Sequence, residues 1–122
     1  MDIKKAILVI DDEIMLLELA KKMLEPEYEV GIANSASSAI RFLNMHKVDL
    51  ILLDITMPNI TGFDFLFDIR KIPSYMDVPI IIVSGNTGEE FFNKARSSSA
   101  FDVLTKPVSK EKLVGTIKKA LA

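Results

Sequence analysis

Nearly unbroken apolar runs alternate with stretches whose apolar residues recur at helical spacing, and the alternation spans the whole chain. Ile7-Leu8-Val9-Ile10, Leu50-Ile51-Leu52-Leu53 and Pro79-Ile80-Ile81-Ile82-Val83 contain no polar residue. A strand covered on both faces reads this way. Strands are therefore expected at about 6–10, 28–33, 49–53, 79–83 and 101–105. The second is more polar and is expected at an edge. Between them, Leu16, Leu19, Ala20 and Met23 recur at i, i+3, i+4, i+7 opposite Glu18, Lys21 and Lys22, which is one face of a helix. Pro26 ends it. Ala36, Ala39, Ile40 and Leu43 repeat the pattern behind Ser35, a candidate N-cap. Phe63, Leu66, Ile69 and Arg70 mark a third helix, stopped by Pro73. Thr87 is placed to cap a fourth through Glu89, Phe92 and Ala95. Lys110 to Leu121 forms a fifth, with Leu113, Ile117, Ala120 and Leu121 inward.

Strictly alternating strands and helices imply an α/β fold, a doubly wound (βα)5 domain with a parallel sheet and helices on both faces. Right-handed crossovers leave few topologies, and the order 2-1-3-4-5 is expected. In such a sheet all strand C-termini share one edge, where ligands bind. At that edge the first strand runs into Asp11-Asp12, the third into Asp54, the fourth into Ser84 and the fifth into Lys106-Pro107. Three carboxylates, a hydroxyl and an ammonium are thus expected to converge.

Length and charge narrow the classes. The chain has 122 residues, enough for one domain with its own core. A formal net charge of -2 gives no overall basic field for nucleic acid. There is no cysteine, hence no disulfide framework and no thiolate metal site. Lys4-Lys5 before Ala6–Ile10 imitates the start of a signal peptide, but Asp11-Asp12-Glu13 cuts the apolar run short. No stretch approaches membrane-spanning length. A cytoplasmic domain over residues 1–122, with no output domain and no membrane contact, is expected.

Three carboxylates at close range repel one another, so either a proton is shared or a cation sits among them. An all-oxygen donor set suits a hard divalent ion, Mg²⁺ above all. A carboxylate can also attack phosphorus to give an aspartyl-phosphate. A cation and an ammonium beside it would neutralise charge on the transferred group, and Ser84 could hydrogen-bond a phosphoryl oxygen.

Five stretches, Ile7-Leu8-Val9-Ile10-Asp11-Asp12-Glu13, Leu53-Asp54-Ile55-Thr56-Met57-Pro58, Gly62, Val83-Ser84-Gly85 and Thr105-Lys106-Pro107, together resemble a response-regulator receiver domain over the whole chain. The resemblance implies that Asp54 is the phosphoacceptor and that Mg²⁺ is held by Asp12 directly, Asp11 more through water, Asp54, and the backbone carbonyl of Thr56. It implies that Ser84 is the switch hydroxyl, that Lys106 binds the phosphoryl group and that the Lys106-Pro107 peptide is cis. It also implies a histidine kinase or phosphotransfer protein as donor and a downstream protein or fused output domain as target, with a homodimer as one form of the phosphorylated state. No enzymatic activity is implied beyond the domain's own phosphoryl transfer and dephosphorylation. Two positions depart from the family. Val103 stands where an aromatic switch residue is usual, and Ser99-Ala100 replaces the usual Gly-Ala. The acceptor chemistry is expected intact and the output through the fourth helix and fifth strand reduced.

Taken singly, each residue has a plainer use. Asp12 alone would cap the first helix, Ser84 alone is a loop residue, and most lysines are merely solvated. His46 reads as a surface residue near a helix C-terminus, Phe63, Phe65 and Phe67 as a mix of core and surface, and the six methionines as core filler. Three other functions compete. An Asp-nucleophile phosphohydrolase resembling the haloacid dehalogenase family wants an acid where Thr56 stands. A dinucleotide-binding domain wants a Gly-rich loop in place of Asp11-Asp12. A phosphorylation-independent interaction module fits Val103 but not the intact Asp54 and Lys106.

Overall fold

Branched aliphatic residues dominate five short strands, and these pair into one parallel sheet in the order β2-β1-β3-β4-β5. The computed structural model describes residues 4–54, 62–85 and 88–122. The strands are β1 Ala6–Ile10, β2 Glu29–Ala33, β3 Leu50–Asp54, β4 Ile80–Ser84 and β5 Asp102–Thr105. The helices are α1 Ile14–Leu24, α2 Ala36–Met45, α3 Gly62–Arg70, α4 Glu89–Arg96 and α5 Lys110–Leu121. A 3-10 turn at Pro73–Tyr75 follows α3. The doubly wound order and the edge position of β2 are as the apolar pattern requires.

Alternation along each strand divides the core in two. Leu8, Ile10, Ile51, Leu53, Ile80 and Ile82 face one side, where residues of α2, α3 and the 3-10 turn complete a buried cluster. Ile7, Val9, Leu50, Leu52, Ile81 and Leu104 face the other, packed by Leu17 and Leu24 of α1 and Leu113 and Ile117 of α5. Burying each such side chain contributes roughly 1.5–3 kcal/mol. The two clusters therefore hold the three central strands from both sides and fix where they end.

Local chemistry sets the helix ends. Ser35 accepts the Ser38 N–H at 3.1 Å while the Ser38 hydroxyl accepts the Ser35 N–H at 3.2 Å, a reciprocal cap on α2. Ser109 accepts the Lys112 N–H at 3.1 Å to start α5. Thr87 lies outside the described residues, and the N-cap of α4 is Gly88. At the far end of the sheet the Arg70 guanidinium donates to the carbonyls of Tyr75 at 3.0 Å and Ser99 at 2.9 Å, and also to that of Val78. It donates further to the Ser99 hydroxyl at 2.9 Å. One side chain thus ties the end of α3 to the approach of β4 and the loop after α4. The Tyr75 hydroxyl donates to the carbonyls of Leu43 and His46, satisfying the end of α2.

Four expectations change. The inward face of α1 is rotated: Leu17 and Leu24 are buried, whereas Leu19 is 55% exposed. Leu17 points straight at the sheet, and the Leu19 side of the helix borders an open groove. Asp12 does not cap α1, because the helix starts one residue later than a cap there requires. Its N-cap is Glu13, without a side-chain cap bond. The methionines are not uniformly core filler: Met15, Met45 and Met76 are exposed, and Met23 is half-buried. Branched Ile, Leu and Val already fill the interior, which leaves the flexible side chains at its margin. Met1 and Met57 lie outside the described residues. Finally, β4 is not covered along its whole length, since Val83 is only half-buried. Phe65 buried, Phe63 half-buried and Phe67 exposed form the expected mix, and His46 is exposed against the Phe42 ring, 4.4 Å between centroids.

Candidate functional site

Strand register brings the site together. Ile10 pairs with Leu53, so Asp11, the next residue, stands beside Asp54, the last residue of β3. Asp54 pairs with Val83, and Ser84 pairs with Thr105, so Lys106 follows at the same edge. Backbone bonds extend the ladder: the Asp11 N–H donates to Ala33 at 3.1 Å and the Lys106 N–H to Ser84 at 2.8 Å. The Lys106-Pro107 peptide is cis, as the resemblance implied.

Alternation also selects which side each group takes. Asp54 continues the parity of Leu50 and Leu52, toward α1 and α5, and Asp11 and Lys106 line the same concavity. Ser84 continues the parity of Ile80 and Ile82, toward the opposite face, and is fully buried. Val103 packs on that opposite face too. Register thus brings Ser84 to the edge but points it away from the acids.

The acids are close and mostly buried. One carboxylate oxygen from each of Asp11, Asp12 and Asp54 lies within 4.8 Å of the others. Asp11 is 7% and Asp54 4% exposed, while Asp12 faces solvent. Lys106 Nζ donates to Asp54 Oδ2 at 3.0 Å, a charge-assisted bond. The Glu13 N–H donates to Asp11 Oδ1 at 3.0 Å and aims that carboxylate.

Electrostatics follow from this packing. Burial pushes the Asp11 carboxyl up from 3.8 to about 6; the Glu13 N–H opposes the shift, and the neighbouring Asp54 charge adds to it. Burial by itself would lower Lys106, but the hydrogen bond and charge of Asp54, with Asp11 and Glu13 behind, outweigh it and raise the ammonium above its ordinary value. Two acids against one ammonium leave the pocket short of positive charge. An all-carboxylate oxygen set of this spacing fits a hard divalent cation. Thr56, Met57 and Pro58 lie outside the described residues, so the carbonyl of Thr56 has no structural account here.

Two features of the site had no signal in the sequence. Glu13 acts through its backbone N–H on Asp11, which any residue could supply. The groove under the acids is lined by residues of α1, of the sheet and of the segment leading into α5, a tertiary fact that helix periodicity does not encode.

A doubly wound parallel sheet with polar groups gathered at its C-terminal edge belongs to the class of α/β domains that bind ligands at that edge. Within it the chain belongs to the response regulator receiver domain family, whose profile matches residues 7–118. The chemotaxis protein CheY4 of Vibrio cholerae superposes with a TM-score of 0.91 at 28% identity, covering 98% of this chain and all of that one, 100%. A receiver domain protein from Clostridium thermocellum superposes with a TM-score of 0.86 at 34% identity, over 96% of this chain and 94% of the other. Among curated proteins, the 3',5'-cyclic-nucleotide phosphodiesterase regA of Dictyostelium discoideum is 34% identical over 90% of this chain and 14% of its own length. The transcriptional regulatory protein PdtaR of Mycobacterium tuberculosis is 29% identical over 98% of this chain and 58% of its own. The chain thus spans only part of these curated relatives. Among the described residues no helix is long and apolar enough to cross a membrane.

Proposed function

We propose that this domain accepts a phosphoryl group on Asp54 from a phosphohistidine of a histidine kinase or phosphotransfer protein. The observation that carries the reading is the Lys106–Asp54 pair at 3.0 Å, set among carboxylates within 4.8 Å of one another. An Asp54 carboxylate oxygen attacks phosphorus, the phosphorus–nitrogen bond breaks, and the electron pair leaves on the imidazole. Lys106, held in its charged form by Asp54, pairs with a phosphoryl oxygen as the carboxylate negative charge is consumed. Asp12, Asp11 and Asp54 would hold Mg²⁺, with the Thr56 carbonyl as the fourth expected donor. The bound ion supplies positive charge to the transferred phosphoryl oxygens.

Transfer converts Asp54 into a bulkier, doubly charged acceptor of hydrogen bonds. Ser84, one strand away, would then turn its hydroxyl from the α3–α4 side toward the phosphoryl oxygens, which shifts a two-state equilibrium. The target is a downstream protein or a fused output domain. The work is done in the cytoplasm, and the domain is a switch whose only chemistry is on its own aspartate.

The test is intact-protein mass after incubation with a small acyl phosphate and Mg²⁺. The wild type gains one phosphoryl group, and Asp54→Ala gains none. A gain that survives Asp54→Ala refutes the assignment.

A further inference from the structure

Beneath the acid cluster lies an open groove of about 480 Å³ between α1 and α5. Its floor is the sheet itself, through Val9, Leu52 and Val83. Leu16 and Ala20 of α1 form one wall, and Val108 and Leu113 the other. Val83 sits on a central strand yet stays half-buried, so apolar sheet surface reaches solvent here. Elsewhere in the same strand Ile80, Ile81 and Ile82 are fully covered. A pocket of this size, apolar along its length and polar at one end, is the ordinary shape of a small-molecule site.

We propose that this groove binds a small amphiphile made of one aliphatic or aromatic body and one ammonium group. The charge at the mouth selects the head group. Asp11 and Asp54 line the groove, with Asp12 within 4.8 Å of both, and among the described residues Lys106 is the single cation lining it. Glu13 adds further negative potential at Lys106. In the metal-free domain an ammonium head therefore meets a net negative mouth, whereas an anionic head without a metal ion beside it is repelled. The body covers the half-buried Val83 and removes its apolar surface from water. A ligand so seated lies over Asp54 from the α1 side. The binding claim stands on the groove and its charge in the unphosphorylated domain, and does not depend on Asp54 being the phosphoacceptor.

The experiment uses metal-free protein carrying labelled Ile, Leu and Val methyl groups. The probe is 4-phenylbutylamine, with 4-phenylbutanol and 4-phenylbutyrate as neutral and anionic matches of the same body. The amine is expected to shift the methyls of Val9, Leu52, Val83 and Val108. It should bind roughly tenfold more tightly than the alcohol, as one additional charge pair at a half-exposed mouth allows, and the carboxylate should be weakest. Ala20→Leu, which fills the groove from α1, should abolish the shifts, and Val108→Phe should do so from the opposite wall. If either variant fails to fold, the other and the wild-type methyl map decide. Equal affinity of amine and carboxylate, shifts centred on other methyls, binding unchanged in a folded groove-filling variant, or no shift at all would each overturn the proposal.

Discussion

The two faces of the sheet meet the same edge and end differently. On the α2–α3–α4 face, Ile80, Ile82, Leu53 and Phe65 are buried almost to the strand ends, and Ser84 closes the row fully buried. On the α1–α5 face the row ends in Asp54, Asp11 and Lys106, and Val83 beside them is half-open. Strand parity alone decides this: even positions of β3 go to one face and odd positions to the other. The acids and Lys106 therefore border an open groove, and the hydroxyl expected to respond sits where packing is tight. A change at the acids can reach the closed face only through the strand ends, because the rows between are filled by branched side chains with few rotamers.

The largest expected effect on this contrast is chemical. Lys106→Ala should cut the rate of phosphoryl uptake by about 10²-fold or more, as loss of one preorganised charge stabiliser does. Ser84→Ala, on the other face, should leave uptake within a fewfold of wild type while weakening the conformational response. Time-resolved mass measurement separates them, and equal losses in the two variants would erase the proposed division of labour.

Packing gives the next effect. Ile82→Ala on the closed face should cost about 2–5 kcal/mol. Val83→Ala at the groove floor should cost only about 1 kcal/mol, because part of its side chain is already in water. That ratio exceeds what one additional carbon accounts for. Urea unfolding of both variants reads it, and similar costs would mean that the groove is closed in solution.

Gly31→Ala probes the closed face from its edge. A Cβ there would stand 2.3 Å from the Phe42 ring, so the ring must move off β2. A cost of about 1–3 kcal/mol is expected, as for overpacking. An unchanged unfolding midpoint would show that Phe42 relocates freely.

A further effect is electrostatic and confined to the open face. The folded-state pKa of Asp11 is raised from 3.8 to about 6, so the native state favours the neutral acid. Its contribution is complete below about pH 4 and is lost as pH rises through about 6. Metal-free protein should therefore lose stability across that window, and Asp11→Asn should flatten the loss. Denaturation at a series of pH values with chelator checks this, and a rise in stability specific to Asp11 over the window would contradict it.

Much of this was legible in the sequence, for identifiable reasons. Continuous apolar runs placed every strand within one residue of its observed bounds, since β1, β3 and β4 are buried on both faces over most of their length. The acids, Ser84 and Lys106 were legible because parallel strands share one edge. Pattern failed where a tertiary fact decided. Leu19 matches the helical period as well as Leu17 does, yet it borders the open groove and stays exposed. Arg70 reads as one more helix residue, although its guanidinium bonds to carbonyls five, eight and twenty-nine residues away. Methionine fits core or surface, and periodicity does not choose between them.

Val103 bears on how the two faces would communicate. It is β-branched, half-buried and packed on the closed face, in line with Ser84's side of the sheet. Such a side chain has one favoured rotamer and cannot swing, so the response to phosphorylation should travel through backbone at the strand ends. The direct measurement is backbone amide shift mapping of the Mg²⁺-bound domain with and without beryllofluoride, a stable phosphoryl mimic. The largest changes are predicted at Asp54, Ser84 and the residues that follow each, with smaller ones at residues 101–104 and in α5. Largest changes at residues 101–104 and α5, with Ser84 unmoved, would contradict the account.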